Sequence, residues 1–139
     1  MHRVVFDTVL LVRSLINPHR RAGRLVFYNI FRLRLFVSEP VVREMLEVLR
    51  RPELTRKFRS LETLDLRKVI ERLGEAEVVE IEPIPGVSRD SKDDKFLATA
   101  VAAGANYLVS EDEDLLVLEN HQGVQVVNIA AFLAVLGAA

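Results

Sequence analysis

The chain has 139 residues, half of them apolar and 28% charged, with a net charge of -1 at pH 7 and no cysteine. The length suits one domain over residues 1–139 with a sizeable core, and the composition lies far from the disordered class. Disulfides, thiolate nucleophiles and cysteine-based zinc sites are excluded, His2, His19 and His121 show no ligand-type spacing, and no apolar run reaches the roughly 18–20 residues of a membrane helix; a cytoplasmic protein without membrane attachment is expected.

"RVVFDT" opens the chain with a buried strand over 3–6 that closes on Asp7. A helix follows from Thr8 through "VLLVRSLI" and stops at Asn17-Pro18, because the residue before proline is pushed out of the helical region. "AGRLVFYNIFRL" predicts a second helix over about 22–33, and "LRLFVS" the next strand. Ser38 and Pro40 start the helix "EPVVREMLEVLR", on which Val41, Glu44, Met45 and Val48 recur at spacings of three and four. Two more helices are expected in "PELTRKFRSL" and "ETLDLRKVIERLG", the latter closed by Gly74. "EVVEIEPI" reads as a third strand ended by Pro83 and Pro85. An acidic loop then leads into the helix "DDKFLATAVAAG", the strand "NYLVS", a helical turn "DEDLLVLE", a last strand "VQVVN" and the helix "AAFLAVLG". Strands and helices alternating in this way imply an α/β fold, with a mostly parallel sheet of about five strands covered on both faces.

Charge is distributed unevenly along this plan. Residues 1–72 hold 16 of the 19 Lys+Arg and 8 of the 20 Asp+Glu, a balance of +8 against -9 for the remainder. A basic half beside an acidic half can bind a polyanion while presenting carboxylates to it, although charge runs are also ordinary solvated faces. The acids form two dense groups, Asp90/Asp93/Asp94 and Glu111/Asp112/Glu113/Asp114. In open parallel sheets functional groups gather beyond the carboxyl ends of the strands. Asp7, Glu44, Asp93 and Asp112, from four separate segments, are therefore expected on one edge of the sheet. Acids at helix starts also serve as caps and dipole partners, which is the plain structural alternative for Asp90, Asp93 and Asp112; for Glu44 it is solvent exposure. If the carboxylates do converge, a cation must neutralise them or some must protonate. Oxygen ligands without His or Cys select Mg²⁺ or Mn²⁺, and such an ion can polarise a phosphodiester and lower the pKa of an attacking water.

At these residues the sequence resembles the PIN-domain family, in particular VapC-like toxin components of toxin–antitoxin systems. "VVFDTVLLVRSL" is similar to the family's opening strand and helix, and "FVSEPVVREMLEVLRRPEL" to its glutamate-bearing helix. "RDSKDDKFLATAVAAGANYLVSEDEDLL" is similar to the pattern of an aspartate-led Ala-rich helix feeding a strand that ends in Ser/Thr-x-Asp. The resemblance implies a three-layer sandwich, an acidic site of Asp7, Glu44, Asp93 and Asp112, and metal-dependent endoribonuclease activity. It further implies a homodimer with a protein antitoxin as partner. Asp7 and Asp112 would be metal ligands, Asp93 would bind the Mg²⁺ or Mn²⁺ directly or through water, and Glu44 would orient water or a second ion. Asp94, Asp114 and Thr8 are expected auxiliaries, and Arg13 and Lys95 are expected to hold the RNA backbone by charge.

One departure stands out. The family's opening usually reads Asp-Thr-Asn, whereas this chain has Asp7-Thr8-Val9. An apolar side chain replaces an amide that can donate and accept hydrogen bonds. That feature favours a second reading, a PIN-like module with little or no catalysis that acts through complex formation. A third reading is phosphotransfer on Asp7, as an aspartyl phosphatase or a receiver; the phosphatase pattern needs a second acid two residues on, where Val9 stands.

Overall fold

The run Val4-Val5-Phe6 is apolar on both faces of a strand, so burial requires cover on both sides. In the computed structural model, which describes residues 1–16, 20–29, 32–53, 75–82 and 93–137, all three side chains are buried. The strand β1 (His2–Phe6) is central to a six-stranded sheet in the order β3-β2-β1-β4-β6-β5. Its partners are β2 (Leu33–Val37) and β4 (Tyr107–Val109), with β3 (Glu77–Val78) beyond β2, and β6 (Val124–Val127) and β5 (Asn120–His121) beyond β4. Every pairing is parallel except β5 with β6.

Period-two alternation divides the core into two layers. Val4 and Phe6 of β1, Leu33 and Leu35 of β2 and Val109 of β4 pack on one face against α1 (Thr8–Ile16), α2 (Arg21–Gly23), α3 (Glu39–Leu49) and the C-terminal α6 (Ile129–Leu136). Val5, Phe36, Leu108 and Val126 pack on the other against α4 (Asp94–Ala103) and α5 (Glu113–Leu116). This is the expected α/β sandwich. Among the described residues no helix is long and apolar enough to cross a membrane.

The elements depart from the sequence reading in specific places. The helix expected over 22–33 is the single turn of α2 followed by a π-helical turn, Arg24–Tyr28. Both the backbone N–H and the side-chain Nδ2 of Asn29 donate to the Arg24 carbonyl, at 3.1 and 3.0 Å, which closes the wide turn and ends it. The third strand is regular only at Glu77–Val78, although Val79 N–H still donates to the Val37 carbonyl at 2.9 Å. The helical turn expected over 112–119 stops at Leu116, and the sheet gains a sixth strand, β5, in a segment read as connection. Its hairpin to β6 turns through Gln122 and Gly123, both at positive φ (48° and 86°), as a tight two-residue connection requires. The helices expected over 52–74 lie, beyond Glu53, outside the described residues, as does the acidic loop with Asp90.

Helix α4 is fixed at its C-terminus by an interaction distant in sequence. Gly104 adopts the left-handed conformation (φ 60°) that caps it, and the Arg3 guanidinium of β1 donates to the Ala103 carbonyl through Nε at 2.9 Å and Nη2 at 2.5 Å. Ser38 Oγ, just past β2, meets Thr99 Oγ1 of α4 at 2.8 Å; because Thr99 gives its proton to the Lys95 carbonyl, Ser38 is the donor. These polar ties set the height of α4 against the sheet, and therefore the position of Asp93 at its start.

Phe132 of α6 is fully buried, and Val135 on the same helix is 42% exposed. Phe132→Ala is expected to lower unfolding free energy in urea by about 3–5 kcal/mol, whereas Val135→Ala should stay within about 0.5 kcal/mol of the parent.

Candidate active site

Strand order reverses direction between β1 and β4: the chain passes from β1 to β2 on one side and later returns to add β4 on the other. A crevice beyond the carboxyl ends of two such strands is where open α/β sheets hold ligands. A cavity of about 450 Å³ opens there, lined by Asp7, Thr8, Val9, Val12, Arg13, Glu44, Val48, Arg51, Asp93, Phe96 and Asp112. The four acids singled out from the sequence all line it, and each comes from a different segment.

Asp7 follows β1 directly and is buried, 3% exposed. Its Oδ1 accepts the Leu10 backbone N–H at 2.8 Å, capping α1, and its Oδ2 accepts the hydroxyl of Ser110, the residue after β4. Ser110 Oγ in turn accepts the Asp112 backbone N–H at 2.9 Å, and Asp112 Oδ1 accepts the Asp114 backbone N–H at 2.9 Å. One chain of hydrogen bonds thus runs from the end of β1, across the end of β4, into the first turn of α5. Burial pushes the Asp7 carboxyl above its ordinary range, against the bonds from Ser110 and Leu10 that hold it down; the Asp112 charge pushes it further up and Arg13 pulls it down.

Glu44 occupies the cavity side of α3. Its Oε2 accepts the Thr8 hydroxyl at 2.5 Å, and its Oε1 lies 2.7 Å from the Lys95 ammonium of α4. Asp93 stands at the N-cap of α4, yet its side chain makes no capping bond to that helix, so capping does not account for an aspartate there. Asp112 is a true cap of α5 as well as a cavity residue. The structural alternative therefore holds in part for Asp112 and not for Asp93, while Glu44 is neither solvent-facing nor unpaired.

One carboxylate oxygen from each of Asp93, Asp112 and Asp114 lies within 4.8 Å of the others, a separation that one cation ligated at about 2.0–2.6 Å from each can span. The donors are all hard oxygens, which fits Mg²⁺ or Mn²⁺. Asp114, read as an auxiliary, is thus in the tightest group, whereas Asp7 and Glu44 have their oxygens engaged by Ser110, Leu10, Thr8 and Lys95. Asp94 is buried in the first turn of α4 and is not among the cavity residues. Thr8 contacts Glu44, and Arg13 lines the cavity. Lys95 faces Glu44 instead of the open cavity.

Sequence reasoning passed over Arg51, Val48 and Phe96. Helical spacing carries the signal for two of them: Val48 stands four residues after Glu44 and Phe96 three after Asp93, so each repeats the face of its acid, whereas Arg51 lies past the end of α3 and carries no such signal. Of the remaining acids, Glu111 serves structure: its Oε1 accepts the Ile129 N–H at the start of α6, at 3.0 Å.

A family model described as "PIN domain" matches residues 3–114, a span that includes every acid of the cavity. No curated protein matches the chain in sequence. Two solved structures are similar in fold. One is PAE2754 from Pyrobaculum aerophilum, at 17% identity and a TM-score of 0.56, with 99% of this chain and 91% of that chain covered. The other is VapBC2 from Rickettsia felis bound to a DNA fragment from their promoter, at 13% identity and a TM-score of 0.53, with 91% and 98% covered.

The Asp7 carboxyl sets a pH dependence of known sign. Its folded-state pKa lies above the unfolded value, so the native state holds the proton longer, and stability falls as pH rises from the unfolded pKa through the folded one. Asp7→Asn keeps an acceptor for Leu10 and removes the buried charge. It is expected to raise the melting temperature of metal-free protein at pH 7–8, with the gain vanishing below about pH 4, where both states of the parent are protonated. Thermal denaturation in EDTA across pH 3.5–8 measures it; an equal gain at every pH would mean that the charge is not the cause.

Proposed function

The chain belongs to the PIN domain family, and from that premise we propose that it is a Mg²⁺- or Mn²⁺-dependent endoribonuclease of the VapC-like toxin kind. Its substrate is RNA, its partners are a protein antitoxin and a second copy of the chain, and it works in the cytoplasm. The observation that carries this reading is the cavity at the β1/β4 crevice, where acids from four segments meet and two of them, Asp93 and Asp112, each set an oxygen within 4.8 Å of the other and of one from Asp114, which is not itself a lining residue. Its volume lies within the range of small-molecule pockets and suits one nucleotide unit.

In this reading Asp93, Asp112 and Asp114 hold the ion, with Asp7 behind them. A divalent cation there supplies Lewis-acid polarisation of the phosphodiester and neutralises charge developing on its oxygens. The remaining work belongs to the chain. Asp7 keeps Ser110 and, through it, the Asp112 backbone in place, and its carboxylate adds to the field that draws the cation in. Glu44, steered by Thr8 and Lys95, orients water at the cavity wall. Arg13 and Arg51, on the same wall, attract the phosphate backbone, which the acids alone would repel. Val9, Val12, Val48 and Phe96 give the cavity an apolar side against which a ribose or base can lie with its water removed.

Val9 favours the second reading, a binding module with little catalysis. It is 52% exposed, so its side chain contributes little to the core. If the missing amide only orients a ligand or water, its absence should weaken rate or metal affinity by about 10- to 100-fold.

Purified protein is expected to cleave single-stranded RNA with Mn²⁺ and not in EDTA, and Asp112→Asn or Asp93→Asn should abolish cleavage. Val9→Asn should increase the rate, with little loss of stability because the position is open to solvent. Metal bound, as measured by calorimetry, with no cleavage by either parent or Val9→Asn would give the binding-module reading the field. Arg51→Ala should raise KM more than it lowers kcat and flatten the dependence of KM on salt.

A further inference from the structure

We infer that Lys95 acts as a built-in cation in the place of a second metal ion, so that the site loads one divalent ion per chain. This rests on the metal-site reading above and adds to it the number of ions and the residue that sets it. Lys95 Nζ lies 2.7 Å from Glu44 Oε1, and the two side chains are 23% and 26% exposed. The other oxygen of Glu44 accepts the Thr8 hydroxyl. Both Glu44 oxygens are therefore engaged from two directions.

Two-metal phosphodiester sites place their ions about 3.5–4 Å apart, with carboxylates supplied from both sides. Here the oxygens of Asp93, Asp112 and Asp114 are grouped for one ion. A second ion would need Glu44 on its far side, because Glu44 is the remaining cavity acid outside the three-oxygen group whose carboxylate is not buried behind the cavity as Asp7 is. At about 2.1 Å from a Glu44 oxygen, that ion would stand beside the Lys95 ammonium, and like charges at that range repel strongly.

Local contacts explain little of the placement of Lys95, whose ammonium lies 5.7 Å from the centroid of the adjacent Phe96 ring. It lies in the first turn of α4, where the helix dipole disfavours a cation. Its partner is instead Glu44 on α3, 51 positions earlier in the chain. The pair joins α3 to α4 at Glu44, a cavity residue, so the ammonium occupies the side of Glu44 that a second ion would need.

Titration of the full chain with Mn²⁺, followed by calorimetry and by electron paramagnetic resonance, tests this without reference to activity. The parent is expected to bind one Mn²⁺ with the sharp six-line spectrum of an isolated ion, and Lys95→Arg should do the same. Lys95→Met and Lys95→Gln should bind two, with spectra broadened by the nearby spins, and Glu44→Gln added to either should restore one. Two ions in the parent, or one ion in whichever Lys95 variant keeps its circular dichroism, overturns the inference and leaves the ribonuclease reading standing. No Mn²⁺ bound by the parent overturns both.

Discussion

The buried carboxylate of Asp7 is the constraint on which the rest of this structure turns. It sits where the two central parallel strands end, and it is satisfied by a helix N–H on one side and by the hydroxyl that follows the neighbouring strand on the other. Those two bonds stabilise the charged form, but they do not offset the burial, and the carboxyl remains harder to ionise than a solvated one. A group of this kind is destabilising on its own and becomes an advantage only when positive charge arrives. The same hydrogen-bond chain that satisfies Asp7 fixes the Asp112 and Asp114 backbone, which keeps the Asp112 carboxylate at the cavity and the Asp114 carboxylate beside it.

The uneven charge along the chain has a spatial counterpart in the cavity. Arg13 and Arg51 reach it from the basic first half, and Asp93 and Asp112 from the acidic second half. In sequence these are separate populations; in space they line one cavity. This arrangement requires the parallel sheet, because only parallel strands bring the ends of β1, β2 and β4 to one edge.

Much of this was legible in the sequence because it is carried by local pattern. A β-branched run that closes on an acid marks β1 and Asp7, and three-four spacing places Glu44 among apolar neighbours on α3. An aspartate-led Ala-rich helix ended by glycine marks α4, although the capping role suggested for Asp93 was not the one it plays. What escaped depends on contacts between distant segments or on very short elements. Nothing in "NHQGV" distinguishes a two-residue edge strand from a polar turn, because its pairing is supplied by β6. The π-helical turn depends on the double use of the Arg24 carbonyl by Asn29, and helical propensity does not encode it. Lys95 read as a ligand for RNA because its neighbours in sequence are acids, yet its partner is Glu44, on a helix docked across the crevice.

Val9 shows how the same physics separates what the fold needs from what the site needs. It occupies the exposed side of the first turn of α1, and the neighbouring Leu10, Leu11 and Val12 already bury that helix against the sheet. Removing its methyl groups would cost the core little, so packing does not explain a valine there. A polar residue would be the ordinary choice for a half-exposed position at a helix start beside a group of acids, and an amide would add hydrogen bonds at the cavity mouth. The valine instead joins Val12, Val48 and Phe96 in the apolar part of the cavity lining, as its solvent-exposed member. At 52% exposure Val9 neither closes the core nor dries the cavity, so what distinguishes it from an asparagine at the same place is the hydrogen bonding it cannot offer.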